Sequence, residues 1–370
     1  MQTVWNRLPV RRLSLRTAHS ALTQPSTRGP EPPRAPAEDP AGPLSIGTLR
    51  ILPLKRASLP RPSSSSGPSH ADMKIFFITV LLAGNALAEF TPDFADFLAG
   101  TFGPAVKDQM ERRDLGSKGS FGGKTSRDER LRNQPIVFVH GVSDTAGEKM
   151  QQAARWFKSM GYKSHELYST TYFNGAQGNP LKWVEYGMRC EYVKQVRALI
   201  VATRLYTGRA LDVIAFSLGV PVSRKAILGG RCVDTGEYLG GPLTKFIDTF
   251  VGVAGPNHGI SLQVGGVAIP GCMFSVIPVC NQVTGLYSGF CPNESEFLQD
   301  INKQSGYEGR HIFSIHSKKD QIVGHLVCQK ITSQIPGQMG EKVFEDLNHD
   351  DTFHNSHSIQ LEMIRNHVVV

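Results

Sequence analysis

Apolar positions along the chain follow two spacings. Residues 135–139 (PIVFV), 211–216 (LDVIAF), 246–253 and 312–315 are short, nearly continuous apolar and β-branched runs, the pattern of strands covered on both faces. Between them the spacing becomes helical. Ala153, Trp156, Phe157 and Met160 share one face of a helix expected over 147–160, a second helix is expected over 190–203, and a third over 220–228, stopped by Gly229-Gly230. Upstream, Phe90, Phe94, Phe97 and Leu98 predict a helix whose apolar side covers the main domain. Strands alternating with helices imply an α/β fold with a mostly parallel central sheet flanked by helices.

Two segments break the alternation. Residues 162–187 are rich in glycine and aromatics (Tyr168, Tyr172, Phe173, Trp183, Tyr186). They read as a loop whose rings pack the core, with the rim of an apolar pocket as the other reading. Residues 116–125 end in Gly-Lys-Thr, but the position needing the first glycine of a phosphate loop is Lys118 and no buried strand precedes it. A glycine-rich surface loop is expected there.

Candidate chemistry sits at the ends of the strand runs. Run 211–216 passes into Ala215-Phe216-Ser217-Leu218-Gly219 and then a helical pattern. A serine on a sharp strand-to-helix turn, with small residues two before and two after, is a nucleophile elbow. A bland turn serine would carry the same five residues; the strand before and the helix after tell against it. His140-Gly141-Val142 follows run 135–139, where the backbone N–H of Val142 can join that of Leu218 as an oxyanion donor. His140 itself reads as a structural histidine with no proton transfer. Asp320 follows run 312–315 and lies after Ser217 and before the C-terminal histidines, the chain order serine, acid, histidine. In LNHDDTFHNSH the preferred base is His349, with His357 second and room for a return helix between Asp320 and His349; a final helix is expected from about Ile359. His354 and His357 with Asp350 lack a well-spaced further ligand, so no metal is assigned, and serine chemistry calls for no cofactor.

The net charge of +8 changes this picture little, because it is uneven. Residues 1–72 hold ten Lys/Arg against four acids, while 89–370 are nearly neutral; no nucleic-acid surface follows. Residues 1–72, rich in Pro, Ser and Arg, read as a disordered leader, with an acid-free first 30 residues that resemble a mitochondrial transit peptide. Residues 73–88 (MKIFFITVLLAGNALA) instead have the charged start, short apolar run and small-x-small end of a secretory signal. The run is too short to span a bilayer, so secretion is the expectation, with mitochondrial targeting as the alternative and 89–370 as the mature domain. Six cysteines, all in 89–370 and without a CxxC pair, suit three disulfides in an exported protein. Asn293-Glu294-Ser295 is a glycosylation sequon usable on that route.

From about Phe90 onward the chain resembles the class 2 lipase family of α/β-hydrolases, particularly secreted nematode lipase-like proteins. The resemblance is carried by PIVFVHGV, DVIAFSLG with VSRKAILGG, VAGPNHG, SKKDQIV and LNHD. It implies Ser217 as nucleophile, Asp320 as acid, His349 as base, and Val142 and Leu218 as oxyanion donors. It also implies hydrolysis of carboxylic esters, with acylglycerol lipids as substrate; a monomer in transient contact with a lipid interface is expected. A catalytically silent lipid-binding protein of the same fold is the competing expectation.

Overall fold

The computed structural model describes residues 89–370, apart from 127, 143, 176–179, 265–266 and 292. The leader and the signal segment fall outside the described residues. Elements run α1 (Pro92–Phe102), α2 (Pro104–Glu111), β1 (Ser120–Phe121), β2 (Ile136–Val139), α3 (Gln151–Ser159), β3 (Leu167–Thr170), α4 (Cys190–Thr207), β4 (Leu211–Phe216) and α5 (Gly219–Leu228). They continue with β5 (Ile247–Val253), β6 (Ser261–Val264), β7 (Val267–Pro270), α6 (Glu296–Asn302), β8 (His311–Ser317), β9 (Leu326–Val327), β10 (Lys330–Ile331), β11 (Gly340–Phe344), α7 (His349–His354) and α8 (His357–Asn366).

Seven strands form one sheet in the order β1-β3-β2-β4-β5-β8-β11. All neighbours pair in parallel except β1 against β3. The central strands β2, β4 and β5 are buried along their whole length, which is why they read as nearly continuous apolar runs rather than alternating ones. One face of the sheet is packed by Met150, Ala153 and Phe157 from the α3 side and by Ile359, Met363 and Ile364 of α8, around Phe138, Ile214 and Val251. Parallel strands with helical crossovers, and a strand-turn-helix at the centre of the sheet, make this an α/β-hydrolase fold.

Helix α1 covers the domain as expected. Its N-cap Thr91 accepts the Phe94 amide, and Phe94 is fully buried against Tyr168 and Tyr206. Four expectations need correction. Residues 162–187 are not all loop, since Leu167–Thr170 is a sheet strand. Its Ser169 and Thr170 hydroxyls donate to the carbonyls of Phe138 and Met110, so polar residues sit inside without penalty and disguise the strand. Residues 116–125 are not a surface loop: Ser120 and Phe121 are buried in β1. No return helix separates Asp320 from His349; the β9-β10 pair and the edge strand β11 fill that interval, and α8 starts two residues earlier than expected, at His357.

The six cysteines form three disulfides, Cys190–Cys232, Cys272–Cys280 and Cys291–Cys328. Among the described residues no helix is long and apolar enough to cross a membrane.

Candidate active site

Ser217 stands at the C-terminal end of β4 with φ of 53°, a left-handed conformation that a serine adopts only when the surroundings enforce it. The enforcement is visible. The Ser217 amide donates to the Val253 carbonyl at 2.8 Å, and its carbonyl accepts from Val220 at 2.9 Å as α5 begins. A Cβ on Gly219 would lie 2.4 Å from the His140 carbonyl oxygen, and one on Gly141 would lie 2.7 Å from the Ser217 Cβ. These glycines let the loop after β2 close over the start of α5, and no larger residue fits either position. Leu218 is the N-cap of α5, so its N–H belongs to the first turn, where no earlier helical carbonyl can accept it.

Asp320 lies in the turn after β8. Its Oδ1 accepts the Ile322 and Val323 amides, both at 2.9 Å, which leaves Oδ2 to face His349 Nδ1 at 2.6 Å. The other ring nitrogen of His349, Nε2, lies 2.9 Å from Ser217 Oγ. The structure therefore brings together the hydroxyl, imidazole and carboxylate named from the sequence, all three buried. His349 is the first residue of α7, and its placement rests on two side chains that sequence reasoning passed over. The N-cap Asn348 accepts the Asp351 amide, and Gln321 Oε1 accepts the His349 amide at 3.1 Å. The capping asparagine was open to detection, because an Asn with acids two and three positions on is an ordinary helix start.

His357 lies elsewhere. It is packed against Trp156 and Phe353, and burial depresses its pKa to about 4. His140 is also buried, with its pKa lowered by burial to about 4, so at neutral pH it carries no charge. Its Nδ1 donates to the Gly141 carbonyl at 2.7 Å, its Nε2 accepts the Tyr172 amide at 3.1 Å, and its ring stacks on that of Tyr172. Neutral and held at both nitrogens, it clamps the backbone that presents Val142.

Ser217 and His349 open into a cavity of about 460 Å³ with a mostly apolar wall that includes Ile260, Leu262, Leu286 and Val323. Val142 and Leu218 also line it. Of the aromatics in 162–187, Tyr168, Tyr172 and Tyr186 are fully buried and none borders this cavity; the core-packing reading holds for them. The polar corner of the cavity is Asp144, Lys149 and Asp350. Lys149 Nζ lies 2.5 Å from Asp350 and 3.6 Å from Asp144, and burial raises the Asp144 pKa to about 6.

Near the opposite ends of the strands, Asp248, His311 and His367 have ligand atoms within 4.8 Å of one another. The two imidazoles stack face to face at 3.6 Å, so their in-plane lone pairs run side by side rather than converging on one ion.

Comparisons with known proteins can be set beside this geometry. The family described as lipase (class 2) matches residues 133–362. Aspergillus fumigatus lipase B is similar in structure, with a TM-score of 0.46 at 12% identity, over 68% of this chain and 56% of that one; the chain thus spans little more than half the length of that lipase. Mature Bacillus licheniformis lipase BlEst2 gives 0.42 at 14% identity, over 66% of this chain and 96% of its own. Paleococcus ferrophilus monoacylglycerol lipase gives 0.39 at 11%, over 67% and 98%. No curated protein matches. The family match extends over more than half of the sequence and takes in strands β2 to β11, the serine turn, the aspartate and the histidine: the chain belongs to the class 2 lipase family.

Proposed function

We propose that the protein is a secreted serine hydrolase that cleaves carboxylic esters of acylglycerol lipids. The observation that carries this reading is the unbroken chain of hydrogen bonds from Asp320 through His349 to Ser217 at an apolar cavity. His349 Nε2 takes the proton as Ser217 Oγ attacks the ester carbonyl, while Asp320 holds the proton on Nδ1 and steadies the imidazolium. The amides of Val142 and Leu218 receive the oxyanion, each contributing roughly 3 kcal/mol of transition-state stabilisation. The imidazolium then gives its proton to the leaving alcohol, and water, activated by the same nitrogen, releases the acid from Ser217. These steps call on the three side chains, two amides and water.

Substrate class follows from the wall of the cavity. An acyl chain can be buried against Ile260, Leu262, Leu286 and Val323, while the Asp144, Lys149 and Asp350 corner suits the hydroxyl-bearing alcohol side of an acylglycerol. Three disulfides fit an oxidising destination, and with it the reading of 73–88 as a signal and 89–370 as the mature enzyme. A fluorophosphonate ester tests the assignment. Stoichiometric labelling of Ser217, lost in Ser217→Ala and accompanied by turnover of monoacyl and diacyl glycerides, is the expected result. A folded protein that neither labels nor turns over any ester would make this a lipid-binding member without catalysis.

A further inference from the structure

One carboxylate oxygen at the wall of the catalytic cavity makes no hydrogen bond. Asp144 is 7% exposed, and its Oδ1 accepts the Thr145 amide at 2.7 Å. Its Oδ2 is buried without a hydrogen-bond partner among the described residues, although the side chain borders the cavity that Ser217 and His349 share. Lys149 does not complete it: Nζ stays 3.6 Å from Oδ2 and gives its short contact, 2.5 Å, to Asp350. A buried polar atom left open in a folded protein calls for an explanation. The backbone around it is built to hold this arrangement. Residues Ala146–Met150 form a turn of π-helix ahead of α3, a rare form that concentrates at functional sites. The Ala146 amide donates to the Thr171 hydroxyl at 2.8 Å, and Lys149 Nζ lies over the Phe216 ring, 4.4 Å from its centroid. That ring is in turn 4.8 Å from the ring of His349, and Asp350 follows His349 in α7. The polar corner is thus assembled on the histidine side of the cavity. In the hydrolytic cycle His349 Nε2 hands its proton to the leaving alcohol, so the alcohol half of a bound ester lies toward this corner.

We propose that Asp144 is a specificity-determining residue that selects esters whose alcohol part keeps a free hydroxyl, 1-monoacylglycerols foremost, by accepting that hydroxyl on Oδ2. A hydroxyl supplies the donor that the carboxylate lacks, and its own oxygen can accept from Lys149, whose ammonium has more donors than Asp350 uses. The two hydroxyls on adjacent carbons of a 1-monoacylglycerol match an acceptor and a donor standing side by side. A triacylglycerol brings no donor and leaves Oδ2 as it is. Above about pH 6, the value to which burial raises the Asp144 carboxyl, the corner holds two carboxylates against one ammonium, so a phosphate on the alcohol part is opposed by charge. The role of Asp144 in selecting a substrate rests on the ester-hydrolase reading; its binding of a hydroxyl-bearing head does not depend on catalysis.

The test begins with catalysis removed. The full chain carrying Ser217→Ala is titrated calorimetrically with 1-O-hexylglycerol, an ether with the monoacylglycerol head, and with its 2,3-di-O-methyl derivative, which has the same chain and no hydroxyl. The diol is expected to bind about tenfold or more tighter, the effect of one hydrogen bond to a charged group. Adding Asp144→Asn keeps the shape and the bond to the Thr145 amide but turns an NH2 toward the cavity. It should bring the two affinities to within about twofold of each other. Glu148→Gln, on the same π-helical turn but outside the cavity wall, should leave the preference as it is. With Ser217 restored, Asp144→Asn should lower the ratio of kcat/KM for 1-monobutyrin over methyl butyrate by about tenfold; both esters are soluble, and a loss common to both cancels in the ratio. Equal affinity of the Ser217→Ala chain for the two ethers overturns the proposal without any change at Asp144. So does an Asp144→Asn variant that keeps the preference for the diol, or one in which the kinetic ratio stays at the parental value. Failure of Ser217 to label, with neither ester consumed, would sink the hydrolase reading, and the ether affinities would still decide whether Asp144 receives a hydroxyl.

Discussion

Replacing Asp320 by asparagine tests the proposed triad more sharply than removing it, because the surrounding hydrogen bonds dictate which way the new amide must face. Oδ1 accepts two backbone amides, from Ile322 and Val323, and Oδ2 faces His349 Nδ1 at 2.6 Å. An asparagine of the same shape has one acceptor and one donor end. Keeping both amide bonds puts its oxygen at the Oδ1 position and its NH2 against His349. Nδ1 must then accept, the ring proton moves to Nε2, and Nε2 donates to Ser217 Oγ instead of taking its proton. The opposite rotamer preserves the catalytic tautomer but turns NH2 toward two N–H groups. Each unsatisfied buried donor costs about 1–3 kcal/mol, so even the low end for both, about 2 kcal/mol, leaves only roughly 3% of molecules competent.

Losing the carboxylate charge that stabilises the imidazolium lowers the rate further. The expected fall in kcat is therefore at least about 30-fold and approaches 10⁴-fold, the size seen for this change in serine proteases, with KM little altered. Stability should hold, because the two backbone bonds survive. Steady-state hydrolysis of a soluble p-nitrophenyl ester, alongside thermal denaturation, measures both. A folded Asp320→Asn protein that keeps more than about a tenth of parental kcat would mean that Asp320 does not set the His349 tautomer.

Other expectations concern the support of the site. Arg224, fully buried on α5, donates to Glu308, Asn257, Asn302 and the Ile301 carbonyl; Arg224→Met should cost about 3–5 kcal/mol in urea unfolding by stranding Glu308, and adding Glu308→Leu should recover most of it. If the single variant is as stable as the parent, the buried pair does not anchor the serine helix. His357, with a folded pKa near 4 against an ordinary 6.5, binds its proton more readily when unfolded, so its contribution is intact above pH 6.5 and is lost as pH falls toward 4, by about 3 kcal/mol. His357→Leu should flatten the loss of stability between pH 6.5 and 4 by about that amount, and an unchanged pH profile would contradict it. Converting Cys190 and Cys232 to alanine opens a loop with a sequence separation of 42 and should lower unfolding free energy by about 4 kcal/mol; calorimetry showing no drop in melting temperature would refute that estimate.

The turn at Ser217 was legible because it is written locally. A both-faces-buried strand, two small residues and a helix start lie within a few positions of Ser217, and the strain they impose involves nearest neighbours. The histidine was harder, with three imidazoles between His349 and His357 and no periodicity to rank them. The physical discriminator is the cap: Asn348 fixes where α7 begins and so which ring faces Asp320, whereas His357 opens the next helix and turns into the core. Strand β3 was hidden because its buried hydroxyls are satisfied by carbonyls from β2 and α2, partners that hydropathy does not register. Edge strand β11 (GEKVF) was hidden because it is half-buried along its length and carries charge where a central strand would not. Arg224 is the extreme case. Every local rule puts an arginine on a helix surface, and what brings it inside is Glu308, 84 positions away. Chemistry that depends on backbone geometry within a turn can thus be read from the residues of that turn. Burial of charge depends on a partner that the chain supplies only after folding, and long-range pairing has no signature in the spacing of either residue alone.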